Sequence, residues 1–169
     1  MEFYDADFMR LALAAAREAL NKGEVPVGAV IVSDGAVVGS GYNCREERQN
    51  PLCHAELIAI QEASRALHSW RLEQCDMYVT LEPCVMCIGA ILQARMRRLI
   101  FGCVDIKAGA VESLYRLCED QRLNHQLPVN GGVLFNECSS ILSSFFSRLR
   151  AQKRNFPKTE RWPSPVEGA

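Results

Sequence analysis

No apolar run in the chain approaches the roughly 20 residues that a membrane span needs, so no membrane passage is expected. Internal repeats and low-complexity runs are absent, which removes solenoids and repeat arrays from consideration. Net charge is nearly absent too. The 169 residues sum to −1 with histidine neutral, which excludes nucleic-acid binding by bulk charge but leaves room for a local basic patch. Residues 1–5 show neither the basic nor the apolar segment of a signal peptide. Histidine is scarce, with three in the chain. Cysteine is not: there are eight. An even count invites a disulfide framework, but the chain is not small and the cysteines are dispersed. The expectation is a reduced, cytoplasmic, soluble protein of one domain, with residues 1–154 as its body.

Asp5 is read as the N-cap of a first helix over 5–22, whose apolar face is Phe8, Leu11, Ala12, Ala15 and Ala19. Two strands, 27–33 and 36–43, flank Asp34-Gly35 and form a hairpin. The first barely alternates, so it is expected to be buried on both faces. Residues 44–52 read as a polar loop. A helix follows over 53–67, then a strand over 76–81. Pro83 suits the first turn of a helix over 84–94. A strand over 98–102, a loop over 104–110, a short helix near 112–118 and a strand over 127–130 come next. Cys138, Ile141, Leu142, Phe145, Phe146 and Leu149 then mark an amphipathic helix over 135–153. Residues 155–169 are rich in proline and read as a mobile tail. A hairpin followed by β-α alternation implies a three-layer α/β/α domain with a five-stranded mixed sheet.

Two stretches carry chemistry: Cys53-His54-Ala55-Glu56, and Glu82-Pro83-Cys84-Val85-Met86-Cys87. Cys84 and Cys87 are three apart and share a helix face. Alone they could be a redox pair or a coincidence of the core. With His54 they supply three ligands for zinc, and three protein ligands plus a water mark a catalytic site. His54 and Glu56 lie roughly 200° apart on a regular helix and could not share a metal in mid-helix. At a first turn both can reach a group beyond the helix end. Glu56 is then left beside the water as proton carrier. Cys53 is expected to point away into the core. Cys44, Cys75, Cys103, Cys118 and Cys138 have no partner at ligand spacing and read as small buried hydrophobes.

His54-Ala55-Glu56 with Pro83-Cys84-Val85-Met86-Cys87 resembles the signature of the zinc cytidine and deoxycytidylate deaminase superfamily. Nearly the whole chain resembles its bacterial tRNA adenosine deaminase branch. The stretches that carry this are Gly23 to Val30, Gly41-Tyr42-Asn43, Thr80 to Cys84, Phe101 to Ala110, Leu123-Asn124-His125 and Glu137-Cys138. The resemblance implies one zinc per subunit held by His54, Cys84 and Cys87, with zinc-bound hydroxide attacking C6 of the wobble adenosine. Glu56 would shuttle the proton as inosine forms. It implies a tRNA anticodon stem-loop as partner and a homodimer as assembly. Asn43 stands where the family's asparagine bonds the base, and Val27 lies at the pocket wall or in the core. Asp105 and Lys107 stand in the family's RNA-contacting loop. Arg148 and Arg150 on the last helix meet phosphate or form an ordinary solvated face. Tyr42, Cys44 and the tail depart from the branch. His125 could meet RNA or be structural, whereas His68 reads as structural. Two other readings remain: a free-nucleobase deaminase for guanine or cytosine, and a non-enzymatic zinc-stabilised RNA-binding module.

Overall fold

The structure is a computed structural model and describes residues 3–155. Its elements are α1 Phe3–Asn21, β1 Gly28–Ser33, β2 Ala36–Tyr42, α2 Arg45–Arg48, α3 Ala55–Ala66, β3 Cys75–Leu81, α4 Val85–Gln93, β4 Arg98–Cys103, β5 Val129–Gly131 and α5 Phe135–Asn155, with a 3-10 turn at Leu117–Glu119. The strands form one sheet in the order β2-β1-β3-β4-β5. β1 runs antiparallel to β2 and β3, while β3, β4 and β5 are parallel. This is the expected mixed five-stranded sheet. Among the described residues no helix is long and apolar enough to cross a membrane. Beyond Asn155, which closes α5, the stretch read as a mobile tail lies outside the described residues.

Strand alternation sorts the core into two layers. Ala29, Ile31, Met77, Val79, Leu99 and Phe101 face α3 and α4, packing on Ala55, Ala59, Ala63, Ile88 and Ile91. Val30, Val32, Tyr78 and Ile100 face the other way, toward Phe8, Met9, Ala12 and Leu13 of α1 and Cys138 and Leu142 of α5. β1 is buried on both sides, as its unbroken apolar run requires. The hairpin turn is also as expected: Asp34 and Gly35 both take positive φ, at 48° and 77°, the pattern of a type I′ turn. The small residues of α1 let β1 come close. A Cβ on Gly28 would lie 2.1 Å from the Ala12 carbonyl oxygen and 2.4 Å from the Ala16 nitrogen.

Several local expectations need correction. α1 begins two residues earlier than read, so Asp5 lies inside its first turn and is buried rather than capping. Its carboxylate accepts from Tyr78 Oη at 2.8 Å, from Arg98 at 2.8 Å and from Asn130 Nδ2 at 3.2 Å. Arg98 also bonds Asp76 at 2.8 Å, and Arg97 grips the same carboxylate at 2.7 and 2.9 Å. This network ties α1 to β3, β4 and β5. The buried face of α1 is Phe8, Met9, Ala12, Leu13, Ala16 and Ala19, while Leu11 is exposed. The polar loop over 44–52 holds the short helix α2. Pro83 precedes the N-cap Cys84 rather than lying in the first turn. The helix expected near 112–118 is a set of turns ending in the 3-10 turn.

Candidate metal centre

His54 and Cys84 are the N-cap residues of α3 and α4. Both have extended backbone, with φ/ψ of −78°/151° and −76°/173°, and neither spends its side chain on capping. Cys87 lies one turn into α4, and Glu56 is the second residue of α3. Two helix N-termini therefore converge at the carboxyl end of β3. His54 Nδ1 is 3.8 Å from Cys84 Sγ and 3.5 Å from Cys87 Sγ. The three ligand atoms lie within 4.8 Å of one another. A tetrahedral zinc with Zn–S near 2.3 Å and Zn–N near 2.0 Å needs N···S separations of about 3.5 Å. The donor set fits the ion in type, number and spacing. Cys53 is absent from the group and buried, as expected of a core cysteine.

Electrostatics at the centre divide the groups. The hydrogen bond from Cys87 holds the Cys84 thiol down at about 3, and His54 adds to this. The same bond, with burial, pushes the Cys87 thiol up. The bond to Cys84 raises His54. Glu56 is only 4 % exposed, and burial raises its carboxyl. A carboxyl shifted upward is suited to carrying a proton in both directions.

Beside these groups lies a cleft of about 160 Å³, small enough for a single nucleobase. His54, Glu56, Cys84, Asn43, Val27 and Asp105 line it, so six of the sequence-predicted residues meet there. Cys87 is fully buried behind them. Lys107 is exposed outside the lining and donates its backbone N–H to Asp105 Oδ1 at 2.9 Å. Arg148 and Arg150 are exposed on α5 and are not part of the cleft. Arg150 lines a separate concavity with Lys153 and Arg154. His125 Nε2 lies 3.0 Å from the Met96 carbonyl oxygen, which favours its structural reading.

Sequence reasoning missed three residues here. Arg45 at the start of α2 lines the cleft. Glu82 also lines it, although its carboxylate is buried and turned to backbone N–H groups. Burial pushes the Glu82 carboxyl up, but the N–H groups of Glu112, Ser113 and Asp105 and the Ser113 hydroxyl outweigh it and hold it below its usual value. Glu24, likewise buried, bonds Asn43 from behind. The one signal for Glu82 was its place beside Pro83-Cys84; Glu24 had none.

Residues 4–103 match the model of the cytidine and deoxycytidylate deaminase zinc-binding region. The tRNA-specific adenosine deaminase of Bacillus subtilis (strain 168) is 45% identical over 150 residues, covering 89% of this chain and 93% of its own. A solved structure of a tRNA:A34 deaminase, from work on A-to-I editing at the wobble position of transfer RNA, superposes with TM-score 0.78. It is 45% identical and covers 80% of this chain and 99% of its own. A guanine deaminase from Nitrosomonas europaea shares the fold at TM-score 0.74 and 19% identity, covering 84% of each chain.

Proposed function

Given that the chain belongs to the cytidine and deoxycytidylate deaminase zinc-binding family, within its tRNA adenosine deaminase branch, we propose that it hydrolyses the wobble-position adenosine of a tRNA anticodon loop to inosine, releasing ammonia. The observation that carries this reading is the pairing of the His54–Cys84–Cys87 donor set with a buried carboxylate, Glu56, in one base-sized cleft. Identity of 45% across 89% of the chain to a tRNA-specific relative supports RNA over a free base.

His54, Cys84 and Cys87 would hold one zinc per subunit, which when bound supplies a Lewis acid that acidifies a water molecule. Glu56 would take one proton from the attacking water and give it to the adenine ring nitrogen as the oxygen bonds to C6, then pass the second proton from that oxygen to the amine, so that the C6–N bond breaks and ammonia leaves. Its burial keeps the carboxyl able to hold the proton between these transfers. Asn43 offers a polar contact to the base, and Val27 an apolar wall. A base stacked in the anticodon loop cannot reach the cleft, so its nucleotide must splay outward. Asp105 and Lys107 flank the cleft on the RNA side. Arg148 and Arg150 extend a cationic surface along α5 for phosphate.

The protein works as a homodimer. Leu52, Val85 and Ile106 lie within two residues of His54, Cys84 and Asp105 in the chain, yet are 55%, 51% and 75% exposed, apolar surface that a second subunit would cover. A tRNA substrate places the work in the cytoplasm. The test is to incubate the protein with total tRNA and sequence for adenosine-to-inosine change. Conversion confined to the wobble position is expected. Ammonia from free guanine or cytosine, with tRNA unchanged, would give the site to a nucleobase deaminase instead.

A further inference from the structure

Glu82 has no ion-pair partner among the described residues, yet every hydrogen bond it accepts comes from one loop. Oε1 accepts the backbone N–H groups of Val111 at 3.0 Å, Glu112 at 2.7 Å and Ser113 at 2.9 Å. Oε2 accepts the N–H of Asp105 at 2.9 Å and the hydroxyl of Ser113. Glu82 as a whole is 2% exposed. The loop lies directly on it: a Cβ on Gly109 would sit 2.3 Å from the carboxylate. Gly109 also bridges to Cys84, and Ala110 donates to the Pro83 carbonyl at 2.9 Å. Asp105 in turn orders its neighbours, since Oδ1 accepts from Lys107 at 2.9 Å and Ala108 at 3.2 Å. A single anion thus gathers both ends of segment 105–113 at the N-terminus of α4.

We propose that Glu82 is a positioning residue for RNA: it fixes segment 105–108 at a set distance from the metal ligand Cys84, so that the polynucleotide docks in register with the cleft. The inference rests on the RNA reading above. It separates two tasks within one site, because Glu82 lines the cleft but its carboxylate bonds to the loop.

Its two oxygens make Glu82→Gln a selective probe. The amide has the same shape, so no cavity opens. Three N–H groups crowd the Oε1 position and select the amide oxygen. The amide nitrogen then faces the Asp105 N–H, donor against donor, while the Ser113 hydroxyl can rotate to accept. The variant should release the 105 end and keep the 111 end.

The test uses hydrogen exchange on the zinc-loaded protein, zinc content, and kinetics on an anticodon stem-loop with adenosine at the wobble position. In Glu82→Gln, amides 105–108 should exchange about tenfold faster or more, with 111–113 within about threefold of the parent. Zinc should stay unchanged. KM should rise about tenfold, with kcat within about threefold. Exchange at 105–108 equal to the parent would overturn the proposal. So would loss of kcat at constant KM, which would move Glu82 into the chemistry, or loss of zinc, which would move it into the metal site. Gly109→Ala drives a methyl against both oxygens of the same carboxylate and should speed exchange at both ends of the segment, 105–108 and 111–113, with the same rise in KM and zinc unchanged. It carries the test if Glu82→Gln does not fold. A parent protein that leaves the RNA unconverted would refute the functional reading, while the exchange measurement would still decide the clamp.

Discussion

Glu24 Oε2 accepts a hydrogen bond from Asn43 Nδ2 at 3.2 Å, with both residues buried. The Val25 carbonyl takes the second amide proton at 3.3 Å. Both bonds come from the amide nitrogen, so the Asn43 carbonyl oxygen takes no part in them. Glu24 Oε1 also accepts the Glu47 N–H at 2.6 Å, which anchors α2 and with it Arg45. Glu24→Ala strands two donors. Each unsatisfied buried donor costs about 1–3 kcal/mol, so two together should lower the midpoint of thermal unfolding by about 4–24 °C. KM for the stem-loop should rise as Asn43 loses its orientation. Unchanged melting and KM would remove Glu24 from the pocket's support.

Glu56→Gln keeps the shape of the side chain and removes its proton chemistry. Positioned acid–base groups contribute about 10²–10⁴-fold. Turnover should fall by at least about a hundredfold, with zinc bound at one per chain by elemental analysis. Full turnover in the variant would leave a zinc-stabilised RNA-binding module as the better account of the site.

Metal removal should be reversible in a specific way. A strong chelator should abolish deamination, and added zinc should restore it. Cys87→Ala should bind no zinc, because two remaining ligands cannot close a three-ligand site. Retained stoichiometric zinc in Cys87→Ala would mean that another residue completes the set.

The Glu82 clamp also predicts a pH signature. Its carboxyl is held below the ordinary 4.5 in the folded protein. A depressed folded value adds stability above the unfolded value, and that stability is lost as pH falls through the folded one. The melting gap between the parent and Glu82→Gln should be constant above about pH 5 and close as pH falls below 4.5. A gap that stays flat into strong acid would mean that the carboxylate charge does not hold the loop.

Legibility from sequence followed the range of the interactions. Strand alternation and the Asp-Gly turn are local, and they located β1, β2, β3 and β4 within a residue or two. The metal ligands were legible because zinc restricts residue type, and helix starts restrict direction. Asp5 was misread because its N-cap signal is local, whereas its partners Tyr78 and Arg98 lie 73 and 93 residues away. The helix expected near 112–118 failed for a related reason. The N–H groups of Val111, Glu112 and Ser113 converge on Glu82, and the chain leaves them as turns. Glu24 and Glu82 were invisible as site residues, since a carboxylate that bonds distant groups looks like any acidic residue in one dimension.

The surface of α5 admits two accounts, and salt dependence separates them. Arg148 and Arg150 are exposed on α5, and Arg150 donates to Ser147 Oγ at 3.1 Å. Replacing both with alanine should change stability by less than about 0.5 kcal/mol, as exposed substitutions do. If each meets a phosphate, the slope of log affinity against log salt should fall by about 0.7–0.9 per arginine, or about 1.4–1.8 for the pair. Loss of affinity alone would not decide the matter, because any surface change can weaken binding. The slope counts counterions released from the RNA, and only phosphate contact releases them. Fluorescence anisotropy with a labelled stem-loop at several salt concentrations measures it. A double variant with the parent's slope would leave α5 as an ordinary solvated face, with RNA held by the loop over 104–110 alone.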